Sequence, residues 1–192
     1  MRRLAGLLVV VNATLAHADE PAIPSVMDKR WSASMGYGVA LARARTDNPE
    51  TAPLFDLHLG VRFRVLPALQ VGLLLGGAFE GPGDGYAELC GDVRYSLLAE
   101  RPWNPYLLGA IGFGFAGEQG SGARSFVRAG AGIERRFESW AVSGETHLSR
   151  IGGDDEAVGD DEIARFGALS GAVNLVVHYH WGGSRRVRRF VP

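Results

Sequence analysis

The chain alternates apolar and polar residues with a period of two. From Leu54 to Arg64 the odd positions are Phe55, Leu57, Leu59, Val61 and Phe63, while the even positions include Asp56, His58, Arg62 and Arg64. A helix would scatter these two sets around its surface, whereas a strand sends them to opposite faces. The pattern recurs. Trp31 to Ala42 sets Trp31, Met35, Tyr37, Val39 and Leu41 against Ser32, Ser34, Gly36, Gly38 and Ala40. Leu69 to Glu80 sets Leu69, Val71, Leu73, Leu75 and Phe79 against Gln70, Gly72, Gly76 and Glu80. Tyr86 to Leu97 sets Leu89, Val93, Tyr95 and Leu97 against Glu88, Cys90, Asp92, Arg94 and Ser96.

Four further segments follow. Pro105 to Phe115 has Leu107, Ile111, Phe113 and Phe115 on one face and Ala110, Gly112 and Gly114 on the other. Phe126 to Phe137 sets Val127, Ala129, Ala131, Ile133 and Phe137 against Arg128, Gly130, Gly132, Glu134 and Arg136. Trp140 to Ser149 sets Trp140, Val142 and Leu148 against Ser143, Glu145, His147 and Ser149. The last segment sets Leu169, Val173, Leu175, Val177, Tyr179 and Trp181 against Ser170, Ala172, Asn174, His178 and His180. Each is about as long as the ~9–11 residues of a tilted strand that crosses a bilayer. Short connections are expected at 65–68, 99–104 and 137–139, and longer polar ones at 43–53, 81–85, 116–124 and 150–167. Short turns on one rim and longer loops on the other suit an eight-stranded antiparallel up-and-down transmembrane β-barrel, an all-β fold.

Composition bears on which face meets lipid. Mean hydropathy is +0.02, yet no apolar run reaches the ~20 residues of a membrane helix. The polar face mixes Gly, Ala and Ser with a limited set of charges, as a narrow lumen requires. Aromatic residues gather near segment ends (Trp31, Phe55, Phe79, Tyr106, Phe137, Trp140, Tyr179, Trp181), as an interfacial girdle would. A formal net charge of −1 gives no electrostatic case for nucleic acid. Arg2, Arg3, the apolar stretch to Leu15 and Ala16-His17-Ala18 read as a signal peptide over 1–18. The expected organisation is then a periplasmic segment at 19–30, the barrel at 31–181 and a basic tail at 182–192. Cys90 is the only cysteine, which excludes an internal disulfide.

The even-numbered charges converge on one lumen. Asp56, Glu80, Glu88, Asp92 and Glu134, with Glu145, share it with Arg62, Arg64, Arg94, Arg128 and Arg136. Unpaired charges there would each cost several kcal/mol, so an ion-pair network is expected. An eight-stranded lumen is filled by side chains, which favours a closed plug over a narrow channel. The alternating strands, Gly112-Phe113-Gly114, Gly130-Ala131-Gly132-Ile133-Glu134, Asn104-Pro105-Tyr106 and the terminal Tyr179-His180-Trp181 resemble the small OmpA/OmpX-like outer-membrane barrels. The resemblance implies residence in the outer membrane of a Gram-negative bacterium and contact with its lipid and lipopolysaccharide. It also implies insertion by the assembly machinery through the last strand, a monomer, no cofactor and no catalysis. Such barrels often stop at the terminal aromatic residue; here Gly182 to Pro192 follow, with Arg185, Arg186, Arg188 and Arg189.

Three other constellations carry candidate chemistry. His147-x-Ser149 with Glu145 could activate a serine, and outer-membrane lipid A deacylases carry a His-x-Ser pair on a strand. The run after Ser149, Arg150-Ile151-Gly152-Gly153, departs from that family, so hydrolysis of lipid A stands as the alternative to a structural or surface-interaction role. His178 and His180 share a face but lack an evident third metal ligand, so hydrogen bonding is expected of them. The acidic run from Gly152 to Glu162 lacks strict calcium-loop spacing and reads as a solvated outer loop.

Overall fold

The computed structural model describes residues 29–43, 51–81, 84–116, 123–152 and 169–182. The expected signal peptide at 1–18, most of the 19–30 segment, the tail from 183 and the acidic run from 153 lie outside the described residues. So does the side chain of Glu80. Eight strands follow in order: β1 (Trp31–Arg43), β2 (Thr51–Leu66), β3 (Leu69–Gly81), β4 (Asp84–Ser96), β5 (Trp103–Ala116), β6 (Arg124–Arg136), β7 (Trp140–Ile151) and β8 (Leu169–Trp181). Each pairs antiparallel with its neighbour, and β8 pairs with β1 to close a barrel. Closure leaves no strand edge exposed.

The register sets the size of the lumen. Paired residues run from Trp31 to Phe63, Val71, Val93, Gly109, Ala129, Leu148 and Gly171, and thence to Leu41 on β1. One circuit therefore climbs from position 31 to position 41, a shear of ten residues. With ordinary strand spacings this means a tilt of about 40° and a radius of about 8 Å to the backbone. Inward side chains from opposite walls meet across such a space, so it is packed.

Alternation assigns the faces as the sequence implies. On β1–β6 and β8 the buried residues are almost all even-numbered, and on β7 they are Ala141, Ser143, Glu145, His147, Ser149 and Ile151. The outward set is mostly apolar, from Met35 and Val39 to Leu175 and Val177, with Ser125, Arg135, Thr146 and Arg150 as polar exceptions. All four tryptophans face outward at the end with the short turns: Trp31, Trp103 and Trp140 open strands, and Trp181 closes one. Trp140 packs on Tyr179, and Trp31 packs edge-on to Phe63.

Two expectations need correction. Tyr106 does not belong to the girdle; it points inward and is 1% exposed, because its even parity on β5 puts it on the lumen side. The connection at 81–85 is not long. β3 continues to Gly81 and β4 resumes at Asp84, with a register irregularity between Phe79 and Gly81 that carries pairing almost to the tip.

Candidate functional site

The lumen holds the strongest concentration of chemistry. Its described, buried charges are five carboxylates (Asp56, Glu88, Asp92, Glu134, Glu145) and five guanidiniums (Arg62, Arg64, Arg94, Arg128, Arg136). The set is neutral if the four lumen histidines are uncharged. That balance matters because an excess buried charge has no water to screen it.

Near the short-turn end, Glu134 is the hub. Its Oε1 accepts from Arg136 Nε at 2.6 Å and from Asn104 Nδ2 at 2.8 Å, and its Oε2 pairs with Arg94. Arg136 also donates to the Ala99 carbonyl in the adjoining turn. Arg94 lies flat on the Tyr106 ring, 3.6 Å from its centroid, and contacts His178 Nδ1 at 3.3 Å. Arg64 sits lower still and donates to the carbonyls of Lys29 and Pro67.

A second layer stands above it. Tyr106 donates its hydroxyl towards Glu145 Oε2 and Ser143 Oγ, both at 3.0 Å. His178 Nε2 meets the same Ser143 hydroxyl at 2.9 Å. Arg62 pairs with Asp92 at 2.5 Å and donates to Ser34. Further up, Arg128 pairs with Glu88 at 2.5 Å, and Asp56 accepts from Asn174 at 2.6 Å. His147 lies between Asp56 (3.4 Å) and Glu145 (3.7 Å).

Above these pairs the lumen changes character. Leu54, Leu74, Tyr86, Cys90, Phe126 and Ile151, with Ala40, Ala78, Ala110 and Ala172, form one buried apolar cluster toward the strand ends that join the long loops. Leu54, Tyr86 and Phe126 each lie two residues from Asp56, Glu88 and Arg128 respectively. The topmost charged pairs are therefore capped directly by hydrocarbon.

Small residues are recesses for large ones. Gly36 pairs with His58 and Gly132 with Tyr106 across adjacent strands, and in each case an added Cβ would enter the partner's ring. A ring laid over a cross-strand glycine fills a narrow lumen without a void.

The sequence-identified residues thus fall as follows. Asp56, Arg62, Arg64, Glu88, Asp92, Arg94, Arg128, Glu134 and Glu145 are all buried and inward; Asp56, Arg62, Glu88, Asp92, Arg94, Arg128 and Glu134 each meet an opposite side-chain charge within 4.0 Å, and Glu145 lies 3.7 Å from His147. His147, Ser149 and Glu145 do face the lumen together, but His147 does not bond Ser149. The Ser149 hydroxyl instead meets Ser170 Oγ at 2.6 Å, so the base and nucleophile positions are not coupled. His178 is hydrogen-bonded; both ring nitrogens of His180 lack a partner, and that ring stacks on His178. Among the described residues no cluster of three or more His, Cys, Asp or Glu is arranged for a metal.

Alternation alone does not reveal the apolar cluster or the roles of Tyr106, Asn104, Ser143 and Asn174. The cluster has a signal as breaks in the pattern: Leu54, Leu74 and Phe126 are apolar on the polar parity.

No protein-family model and no curated protein matches the chain. Solved structures do. Neisserial surface protein A superposes with a TM-score of 0.61 at 14% identity, covering 79% of this chain and 97% of that one. Ail, the attachment invasion locus protein of Yersinia pestis, superposes with a TM-score of 0.51 at 13% identity, covering 80% and 99%. Both are small eight-stranded outer-membrane barrels. At such identity the likeness is one of fold: this chain is a closed, eight-stranded antiparallel transmembrane β-barrel, and its outward apolar belt is the lipid face.

Proposed function

We propose that the protein resides in the outer membrane of a Gram-negative bacterium as a non-enzymatic barrel with a structural or surface-interaction role. On this reading it is a monomer held by lipid and lipopolysaccharide and presenting its longer loops outward. The short turns then face the periplasm. The observation that carries the reading is the filling of the lumen along its length, with paired charges below and an apolar cluster above. Such an interior braces the wall, and on this reading it carries neither a water path nor a substrate. The surface loops are left as the part able to meet partners. The two neighbours, by name a surface protein and an attachment protein, accord with that division of labour.

Planar-bilayer recording tests the proposal. The purified protein, heat-modifiable in gel migration, is expected to insert and give no discrete conductance steps. Regular unitary steps from the unaltered protein would overturn the closed-lumen reading. Loss of an acyl chain from lipid A on expression, abolished by His147→Ala, would overturn the non-enzymatic one.

A further inference from the structure

The buried hydroxyls, carboxyls and imidazoles of the lumen are not scattered; on the β7–β8 side they stand in line. At the short-turn end His180, one residue from the end of β8, stacks on His178 with ring centroids 6.3 Å apart. Neither ring nitrogen of His180 has a partner among the described residues. His178 Nε2 meets Ser143 Oγ at 2.9 Å, Ser143 meets the Tyr106 hydroxyl at 3.0 Å, and Tyr106 reaches Glu145 Oε2 at 3.0 Å. Glu145 Oε1 then lies 3.7 Å from His147 Nδ1. Above His147 the next inward side chain of β7 is Ser149, whose Oγ is 2.6 Å from Ser170 Oγ. Ser170 in turn is 3.4 Å from the Tyr86 hydroxyl. Because Ser170 is one residue from the long-loop end of β8, the line runs nearly the length of that strand.

Every member of this line can both accept a proton and give one up, which the arginines and Asn174 beside it cannot. Chains of such groups inside a membrane are the material of proton relays. The donors also point one way. Arg94 donates to His178 Nδ1, which leaves Nε2 as the N–H facing Ser143; Ser143 can then donate to Tyr106, and Tyr106 to Glu145. At each hop one N–H or O–H bond forms and one breaks on the same group, so a proton taken up at one end is matched by one released at the other. The widest step is at His147. Its polar neighbours stand at 3.4 Å (Asp56), 3.5 Å (Asn174) and 3.7 Å (Glu145), so the ring is loosely held and can carry a proton to Ser149 by turning. Ser149, Ser170 and Tyr86 then lead past the apolar cluster. Three hydroxyls are too few to replace the hydration shell of an ion, but a proton needs one partner at a time.

We propose that this line of side chains, from His178 to Tyr86, is a proton relay through a lumen closed to other ions. The inference goes beyond the structural role given above and rests on the same membrane reading. Protons are so dilute at neutral pH that their current lies far below unitary steps in a planar bilayer, so a dye-based measurement is the suitable one.

The whole protein is reconstituted into phospholipid vesicles that hold a pH-sensitive dye. Valinomycin and equal potassium on both sides carry the compensating charge, and the outside is acidified. Internal acidification is expected to outpace that of protein-free vesicles. Tyr106→Phe keeps the ring over Gly132 but removes the hydroxyl, and His147→Gln keeps a polar side chain that carries no proton. Both should fall back to the protein-free rate. Thr146→Val, on the lipid face of the same strand as His147, should match the parent. Heat-modifiable migration checks that each variant is folded. A parent protein no faster than protein-free vesicles, or either lumen variant as fast as the parent, overturns the relay. Escape of trapped sodium from the same vesicles also overturns it, because proton entry would then follow an aqueous path. Failure to enter vesicles at all would overturn the membrane reading instead, so the two failures are distinguishable.

Discussion

Glu134 shows how much one lumen residue can carry. Its two oxygens serve Arg94, Arg136 and Asn104, and Arg136 in turn ties the wall to the turn at Ala99. Glu134→Ala would leave two guanidiniums facing one another in an enclosed space. Breaking a buried pair from one side costs about 3–5 kcal/mol, because the surviving charge loses its partner without regaining water. We expect a loss of that order in the unfolding free energy, measured by urea titration of the protein in lipid vesicles. Glu134→Gln keeps the shape and one acceptor, so its loss should be smaller and of the same sign. A change below about 0.5 kcal/mol in Glu134→Ala, the range of ordinary surface substitutions, would mean that the network is hydrated. The residue-level reading from sequence had a clear limit here. Parity told which charges share the lumen, but not that one carboxylate would serve two arginines, since that depends on how far each strand is displaced along its neighbour.

At the level of strands, the pairing of β5 with β6 tests whether glycines are recesses or merely gaps. Gly132 faces the Tyr106 ring, and a Cβ there would also stand 2.8 Å from the Gly144 carbonyl oxygen. Gly144, on the outward face of β7, has nothing within 4 Å of its would-be Cβ. Gly132→Ala should therefore displace Tyr106 from Glu145 and Ser143 and cost about 1–3 kcal/mol, the usual range for overpacking. Gly144→Ala should lie within about 0.5 kcal/mol of the parent. Equal effects in the same urea titration would refute the recess. The strands themselves were legible in the sequence, with bounds within a few residues, since a one-residue slip would turn every side chain to the wrong face. What alternation could not supply was depth. Leu54, Leu74, Phe126 and Ile151 have lumen parity yet are apolar; read singly, Leu54, Phe126 and Ile151 look like frayed strand ends and Leu74 like an isolated break in the pattern. Only closure of β8 on β1 brings them into one cluster. Tyr106 failed for a related reason, because nearness to a strand end suggested a girdle residue while its parity already pointed inward.

For the whole molecule, two unlike zones predict a lumen closed twice, in series. The apolar cluster excludes ions by offering no polar partners, and the Arg128–Glu88 pair beneath it blocks the way with bulk and bonded charge. Barriers in series do not yield to the removal of either one. Phe126→Ala thins the apolar zone but leaves Arg128 beneath it. Removing the pair together, Glu88→Ala with Arg128→Ala, keeps the lumen charges balanced; Asp56 loses its 4.0 Å contact with Arg128 but keeps its Asn174 bond, so the double change should be tolerated better than either change alone. It still leaves Leu54, Leu74 and Ile151 in place. Each of these two variants is expected to remain electrically silent in planar bilayers. The triple variant joins a widened upper lumen to the polar layers around Asp56 and Tyr106, and small, irregular ion currents should appear only there. Conductance in the Phe126→Ala protein alone would show that the charged layer is already permeable, leaving the cluster as the sole barrier. Conductance in the pair-deleted protein alone would assign closure to the ion pair and reduce the apolar zone to packing. A silent triple variant would place a further barrier lower down, where Glu134 binds Arg94 and Arg136.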